Sequence, residues 1–517
     1  MADLRARAWD TALVRSAAII DLGSNTARLV VLLYQPGYRY QRLDELREVV
    51  RLSEGMGTSG ILRAEPFERG IRALRTFRSF CDAVGVDDVR ATATSAVRAA
   101  RNGAAFVAAA RDTAGVELEV LSGEQEARFG ALAVANSLDV DDAVVFDLGG
   151  GSLQLSSLVE RRFAGGGAFP LGAVRMTEAF LDGDPPRGKA LKALRRHVRE
   201  VLQPRLADLP AGAPVVGMGG TLRNLASVAQ TRSGYRPDLL HGYRLERAVL
   251  EDLVDELAGM NVSQRRDVKG LNGDRADIIV AGGTVIAETL SALDTKAVRI
   301  SGQGLREGLF YPYLFPDGDH LAPDLREFSA LNLMREYYDY PAHNLHVRLL
   351  ALQLFDQLRA LHGLGDPERE LLGAAALVHD IGMAVDYYAH HKHGMYLVMG
   401  RALPGYSHRE QVMVALMVRY HRRGSPAELG LGAVLEAGDM ERLAVMAGLL
   451  RLAEYLERSK AQRVREVRCH VGDGVVQIEA LSMGDAEIEV RQAGLRSGLL
   501  ASALAATVEV VAGHVPA

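Results

Sequence analysis

Roughly the first 300 residues alternate short apolar runs with amphipathic stretches. Ala17–Leu22, Leu29–Tyr34, Val89–Ala93, Glu117–Leu121, Ala143–Asp147 and Leu153–Leu158 are short and rich in apolar or β-branched residues. Several end in glycines or small polar residues, a pattern that predicts strands. Between them Glu65–Val84, Phe106–Thr113 and Gln125–Asn136 carry apolar side chains at helical spacing. That alternation predicts an α/β architecture. After Pro316-Asp317-Gly318-Asp319 the texture changes. From about Asp324 to Lys460 Leu, Ala and Met recur with helical periodicity and strand signals are scarce, so an all-helical domain is expected. The boundary falls in Phe315–Pro323, rich in turn-forming residues. From Arg463 strand character returns at Val464–Val471, Val475–Ala480 and Ala486–Arg491, before a helical Leu499–Val508; a small α/β appendage is expected there.

Composition narrows the classes. A chain of 517 residues is too long for one core. With 48% hydrophobic and 24% charged residues it reads as globular, not disordered. The formal net charge of −5 gives no general reason to bind nucleic acid or anionic membrane. Cys81 and Cys469 are too few and too far apart for a disulfide framework, so reduced thiols are expected. The apolar run before the first glycine motif lacks the features of a signal peptide, and no stretch approaches about 20 uninterrupted apolar residues. A cytoplasmic protein without a membrane span is the expectation.

The candidate chemistry starts with two glycine loops. Ile20-Asp21-Leu22-Gly23-Ser24-Asn25-Thr26 and Val145-Phe146-Asp147-Leu148-Gly149-Gly150-Gly151-Ser152 each follow one apolar run and precede another. A carboxylate at a strand end can hold Mg²⁺, directly or through water. The glycines after it let backbone N–H groups approach phosphate oxygens, and Ser or Asn side chains add donors. One such loop alone is equally well a hairpin turn. Two of them, about 125 residues apart, hint at internal duplication. The pair resembles the phosphate-binding loops of the fold shared by actin, hexokinase and acetate kinase, in which two related lobes clasp a phosphate chain.

Four further segments narrow the resemblance: Thr94-Ser95-Ala96-Val97-Arg98, Ser122-Gly123-Glu124-Gln125-Glu126-Ala127, Gly219-Gly220-Thr221 and Gly304-Leu305-Arg306-Glu307-Gly308. With the two loops they follow the order and approximate spacing of the Ppx/GppA exopolyphosphatase and guanosine pentaphosphatase family over about residues 15–315. The resemblance implies an actin-like, ribonuclease-H-type two-lobed module. It implies that Glu126 activates the attacking water and that Asp147, helped by Asp21, holds Mg²⁺. Gly23, Ser24, Asn25, Gly149, Gly150, Gly151 and Ser152 would cradle the phosphate chain, and Arg28 and Arg98 would contact phosphate oxygens. From the residues alone, Arg98 is as readily a surface arginine in an ion pair. Glu126 is as readily an exposed first-turn carboxylate favoured by the helix dipole.

The sequence departs from the family pattern twice. Gln154 stands where the family usually has an acidic residue, and Gln125-Glu126 replaces two consecutive acidic residues. Losing a charge near a cation matters: two opposite unit charges about 4 Å apart interact by about 4 kcal/mol at an effective dielectric of about 20. Three readings stay open: catalysis with a shifted metal, slow catalysis, or a site that only binds.

The helical region carries His343, His379-Asp380, His391-Lys392-His393, His421 and Glu454. Imidazoles and carboxylates from separate helices can converge on one divalent metal. The set resembles the HD domain, named for that dipeptide, and a similar domain follows the phosphatase module in the long Ppx/GppA members. His343, His379, Asp380 and Glu454 are the implied ligands of a second divalent metal, although HD phosphohydrolases commonly end the set with Asp. A role confined to structure, dimerisation or formation of a substrate channel is the alternative. His421-Arg422-Arg423, with Arg419, is either an anion contact or a solvated helix end.

The reading is therefore two actin-like lobes (about 15–132 and 133–316), an all-α HD-type domain (324–460) and a small α/β C-terminal segment (461–517). The implied activity is Mg²⁺-dependent removal of terminal phosphate from inorganic polyphosphate or guanosine pentaphosphate. The rivals are a binding-only sensor of polyphosphate or guanosine polyphosphates, and an HD-domain nucleotide phosphohydrolase. A homodimer is what the long members of the family suggest.

Overall fold

The computed structural model describes residues 14–210, 212–236, 238–337 and 341–514. The chain divides into two compact units, Met1–Pro323 and Asp324–Ala517.

In the first unit, β1 (Arg15–Leu22), β2 (Thr26–Gln35), β3 (Arg39–Val49), β4 (Asp88–Ala93) and β5 (Leu118–Val120) form one sheet in the order β3-β2-β1-β4-β5. β1 pairs antiparallel with β2 and parallel with β4. A second sheet holds β6 (Ala143–Leu148), β7 (Leu153–Val159), β8 (Arg162–Phe169), β9 (Val215–Met218), β10 (Arg244–Glu246) and β11 (Ala297–Ile300), in the order β10-β11-β9-β6-β7-β8. There β6 pairs antiparallel with β7 and parallel with β9. The pattern 3-2-1-4 of the first sheet returns as 8-7-6-9 in the second, so the duplication hinted at by two Asp-Leu-Gly triplets is present in the topology. Ala17, Ala18, Ile19 and Ile20 of β1 are wholly buried, as a central strand covered on both faces requires.

Strands β3, β8, β9, β10 and β11 lie outside the predicted runs, and β3, β8 and β10 among them are sheet edges. β3 is charged along most of its length, and β8 (RFAGGGAF) is glycine-rich. An edge strand gains from charge, because charge discourages pairing with another chain.

The second unit packs the helices Leu325–Tyr337, Pro341–Gln357, Asp366–Val378, His390–Met399, His408–Tyr420 and Asp439–Leu456 around one apolar core. β12 (Val464–Gly472), β13 (Val475–Ser482) and β14 (Thr507–His514) form a small sheet, with β14 parallel to β13. Val464, Val467, Val476 and Ile478 belong to the same apolar cluster as the helices. The expected strand Ala486–Arg491 is instead a helix, Glu487–Gly494, and the expected helix Leu499–Val508 ends at Leu504 before β14 begins. The alternation in Glu487-Ile488-Glu489-Val490 mimics a strand, but the buried residues of that segment are Glu489 and Ala493, one helical turn apart.

Candidate active site

Each glycine loop of the first unit is both a hairpin turn and a cradle. β1 ends in Asp21 and Leu22, and β2 returns from Thr26; β6 ends in Asp147 and Leu148, and β7 returns from Leu153. The turns leave Gly23–Asn25, Gly149, Gly150 and Ser152 facing one cleft, while the predicted phosphate contact Gly151 is buried between the two loops and does not line it. The cleft lining includes Asp21, Gly23, Ser24, Asn25, Arg28, Glu126, Asp147, Gly149, Gly150, Ser152 and Gln154. The loops approach closely. A Cβ on Gly151 would lie 2.4 Å from Ser95 Oγ and 2.6 Å from Ser24 Oγ, so a side chain there would push both hydroxyls out of place. Ser24 Oγ and Ser95 Oγ are themselves 2.9 Å apart.

Glu126 enters from the helix Gly123–Ala135. Ser122 caps that helix: Gln125 N–H donates to Ser122 Oγ at 3.1 Å, and Ser122 N–H donates back to Gln125 Oε1 at 2.7 Å. Gln125 thus fixes the helix start, while Glu126, on the next position, points inward and is only 7% exposed. The exposed first-turn reading of Glu126 does not hold. Its carboxylate accepts from Gln154 Nε2 at 2.7 Å and is paired with the Arg98 guanidinium. Gln154 Nε2 also donates to Ser152 Oγ at 2.8 Å, which holds the amide in place. Arg98 is placed against Glu126 and the Leu121 carbonyl, not among the lining residues. Burial pushes the Glu126 carboxyl up to about 7 against the pull of Arg98, with Asp21 and Asp147 adding to the rise.

The two strand-end aspartates are poorly neutralised. Asp21 Oδ1 is buried without a hydrogen bond. Burial lifts Asp21 to about 6, opposed by Arg306 and reinforced by Asp147. Burial also raises Asp147, opposed by Arg223 and Arg275. An orphaned buried carboxylate oxygen is a donor that a divalent cation would satisfy. Asp21 and Asp147 therefore fit Mg²⁺.

Sequence reasoning passed over a cluster of cations in the same cleft. Arg223, Arg275 and Arg306 line it together with Arg28. Burial, Arg306 and Arg223 pull Arg28 down to about 10, and burial, Arg223 and Arg28 do the same to Arg275. Burial and Arg306 also lower Arg223. Arginine stays charged at neutral pH even so; Arg28 and Arg306 share Glu45, at 3.4 Å and 2.7 Å. Arg306 lies inside Gly304–Gly308 and Arg223 three residues after Gly220, so the motifs flagged their neighbourhoods; nothing in the sequence flagged Arg275. Arg28, Arg47, Arg223 and Arg275 continue into an adjoining pocket where Leu240 is the one large apolar lining residue.

In the second unit His343, His379, Asp380 and Glu454 come together. His343 Nε2 and His379 Nε2 each lie 3.1 Å from Glu454 Oε2, and they lie 3.6 Å and 3.7 Å from oxygens of Asp380. All four are buried. Burial works against charge on His379, but Asp380 and Glu454 outweigh it and hold its pKa above the ordinary value. His421 is buried among these histidines and is no part of a solvated basic cluster. His391 is buried with both ring nitrogens outside any hydrogen bond, and it is His390 that faces Asp380, at 3.3 Å.

No helix among the described residues is long and apolar enough to cross a membrane. A family model described as the Ppx/GppA phosphatase family matches residues 31–315, and one described as Ppx/GppA phosphatase, domain III, matches residues 325–485. An exopolyphosphatase from Cytophaga hutchinsonii is 26% identical, with 58% of this chain and 98% of that one covered at a TM-score of 0.54. A Ppx/GppA family member from Aquifex aeolicus is 28% identical, with 57% and 96% covered at a TM-score of 0.50. A second structure of the Aquifex aeolicus PPX-GPPA enzyme gives 28% identity, 57% and 99% coverage and a TM-score of 0.50. The first unit accordingly has the actin-like fold of these proteins, and a helical domain follows it. With both of its models matched in order along 517 residues, this chain belongs to the Ppx/GppA phosphatase family, in its long form.

Proposed function

We propose that the first unit is an Mg²⁺-dependent exopolyphosphatase that removes the terminal phosphate of inorganic polyphosphate. The observation that carries this reading is the make-up of the cleft. Carboxylates Asp21, Glu126 and Asp147, arginines Arg28, Arg223 and Arg275, and residues of both glycine loops line it together. A phosphate chain with its cation needs that combination, because phosphoryl transfer is catalysed mainly by positioning and electrostatics.

Asp21 and Asp147 would hold Mg²⁺, which supplies charge neutralisation at the phosphate oxygens when bound. Backbone N–H groups of Ser24, Asn25 and Gly150, with the Ser24 and Ser152 hydroxyls, orient the terminal phosphate, while those of Gly23 and Gly149 close the turns on the Thr26 and Ser152 carbonyls. Glu126 accepts a proton from the water that attacks phosphorus. Gln154 donates to Glu126 and so favours its charged, proton-accepting form. Arg98 does the same as long as it stays paired, and it turns to a phosphate oxygen when substrate displaces it.

Guanosine pentaphosphate is the second reading, because it ends in the same kind of anhydride. The adjoining pocket favours a polyanion over a base, since it offers arginines and no aromatic platform. Initial rates of phosphate release from long-chain polyphosphate and from guanosine pentaphosphate, at one Mg²⁺ concentration, decide between them. Faster release from polyphosphate supports the proposal; release from the nucleotide alone overturns it. Tight polyphosphate binding without release from either would leave the sensor reading.

A further inference from the structure

The helix Gly123–Ala135 faces two places. Glu126 lines the cleft, while Gln125, Arg128, Phe129 and Leu132, at helical positions i, i+3, i+4 and i+7, line a separate pocket of about 450 Å³. The two share no lining residue. Pockets for small organic ligands run from about 300 to 1,000 Å³, so the size fits one. Both sheets of the first unit contribute: Arg90 comes from β4, and Arg161, Arg162 and Phe163 from the hairpin of β7 and β8. A Cβ on Gly308 would overlap the Phe129 carbonyl, so the helix Leu305–Leu314 lies backbone to backbone on Gly123–Ala135 and brings Pro312 into the wall.

Four arginines line this pocket against one lining carboxylate, Asp319. Arg162 holds Asp319 at 2.6 Å and Glu160 at 3.8 Å, and Arg90 holds Glu119 at 3.1 Å. The Arg161 guanidinium donates to backbone carbonyls, those of Ala135 at 3.2 Å and Ala322 at 3.1 Å. Arg128 and Arg161 make no ion pair among the described residues. Two guanidinium forks are therefore left for an anion supplied from outside.

The hairpin holds Arg161 in place under strain. Val159 pairs with Arg162, so Glu160 and Arg161 are the two loop residues. Both take a left-handed φ, 50° and 63°, in a turn that Asn-Gly ordinarily fills. Long side chains are uncommon there, and strain of this kind gathers at sites that bind or switch.

The rest of the wall is apolar. Phe129 and Phe163 are half-buried in it, and Leu132, Leu158 and Leu321 complete it. The Arg90 guanidinium lies over the Phe129 ring, 5.1 Å from its centroid. Inorganic phosphate would satisfy the arginines and leave this wall uncovered. A ligand with a flat ring at one end and phosphates at the other covers both.

We propose that this pocket binds a nucleoside diphosphate, with its base against Phe129 and Phe163 and its phosphates on Arg128, Arg161 and Arg162. The occupant joins the β4 side of the first sheet to the β7–β8 hairpin of the second, across the helix that carries Glu126. The proposal does not rest on the reading of the cleft, and the cleft's own arginines play no part in it.

The test is the binding of a fluorescent adenosine diphosphate to the full chain, compared among wild type, Arg128→Glu, Arg162→Ala and the cleft variant Arg28→Ala. Saturable binding by wild type is expected, at least about tenfold weaker in Arg128→Glu and in Arg162→Ala and changed by less than about twofold in Arg28→Ala. Inorganic pyrophosphate, which carries the charge without the ring, is expected to displace the label at least about tenfold less well than adenosine diphosphate. Hydrogen exchange of wild type is the second readout, since it needs no variant: adenosine diphosphate should protect the segments 158–163 and 125–132. No binding by wild type, or binding that Arg28→Ala weakens as much as Arg128→Glu, overturns the proposal. So does equal displacement by pyrophosphate, which would mean that the pocket reads charge alone, or exchange unchanged in both segments.

Discussion

Seven residues after each strand-end aspartate, the returning strand places a side chain opposite it: Arg28 pairs with Asp21, and Gln154 with Asp147. The repeated topology has therefore put an arginine and an amide at equivalent places. Gln154 is the residue whose meaning changed most on folding. In the sequence it reads as a lost metal ligand; in the structure its amide nitrogen faces Glu126. Gln154→Leu removes that donor, so the pH at which Glu126 loses its proton should rise, and kcat at neutral pH should fall by about tenfold. A pH–rate profile checks this. Glu126 also leaves a mark on stability. Its folded pKa, about 7, is raised above the ordinary 4.5. The protonated form is thus the one that folding favours. The contribution is fully present below pH 4.5 and is lost as pH rises through about 7. Metal-free wild type should lose up to about 3 kcal/mol between those limits relative to Glu126→Gln. Denaturant unfolding of both proteins at pH 5 and pH 8 measures the difference.

At the scale of elements, what the sequence made legible was what periodicity encodes. Buried strands such as β1, β2 and β6 stand out as apolar runs, because central strands are covered on both faces. β3 and β8 did not stand out, because edges are written in charge and glycine. The tail segment Glu487–Gly494 was misread because strand-like alternation over a few residues also fits one face of a short helix. Within the site, Ser122-Gly123-Glu124-Gln125-Glu126 was legible as a helix start, and the capping box assigns Gln125 to the cap. Arg275 was invisible, since it sits in a one-turn 3₁₀ segment with no apolar pattern around it. The loops themselves give a prediction. In Gly151→Ala the added methyl meets two serine hydroxyls and displaces the phosphate cradle. KM for polyphosphate should rise about tenfold, with a stability loss of about 1–3 kcal/mol in unfolding experiments.

At the scale of the molecule, two Asp-Leu-Gly triplets foretold a repeated sheet, and a change in hydrophobic period foretold a second unit of different class. How Asp21, Glu126 and Asp147 converge is written in neither; it follows from the topology that sets β1 and β6 at the centre of each sheet. The first unit has its own apolar clusters. An Aquifex aeolicus relative 96% covered by 57% of this chain is folded at that shorter length. Residues 1–323 produced alone should therefore fold cooperatively, as circular dichroism and a thermal melt would report, and should keep Glu126-dependent phosphate release. The account rests most heavily on Glu126 as the proton acceptor in a cleft built to bind phosphate. The direct measurement is phosphate release from long-chain polyphosphate with Mg²⁺, by wild type and Glu126→Gln, with polyphosphate binding measured on both. The account predicts release by wild type, loss of about 100-fold or more in the variant, and nearly unchanged binding. Equal rates for the two proteins, or binding by wild type with no release, would contradict it.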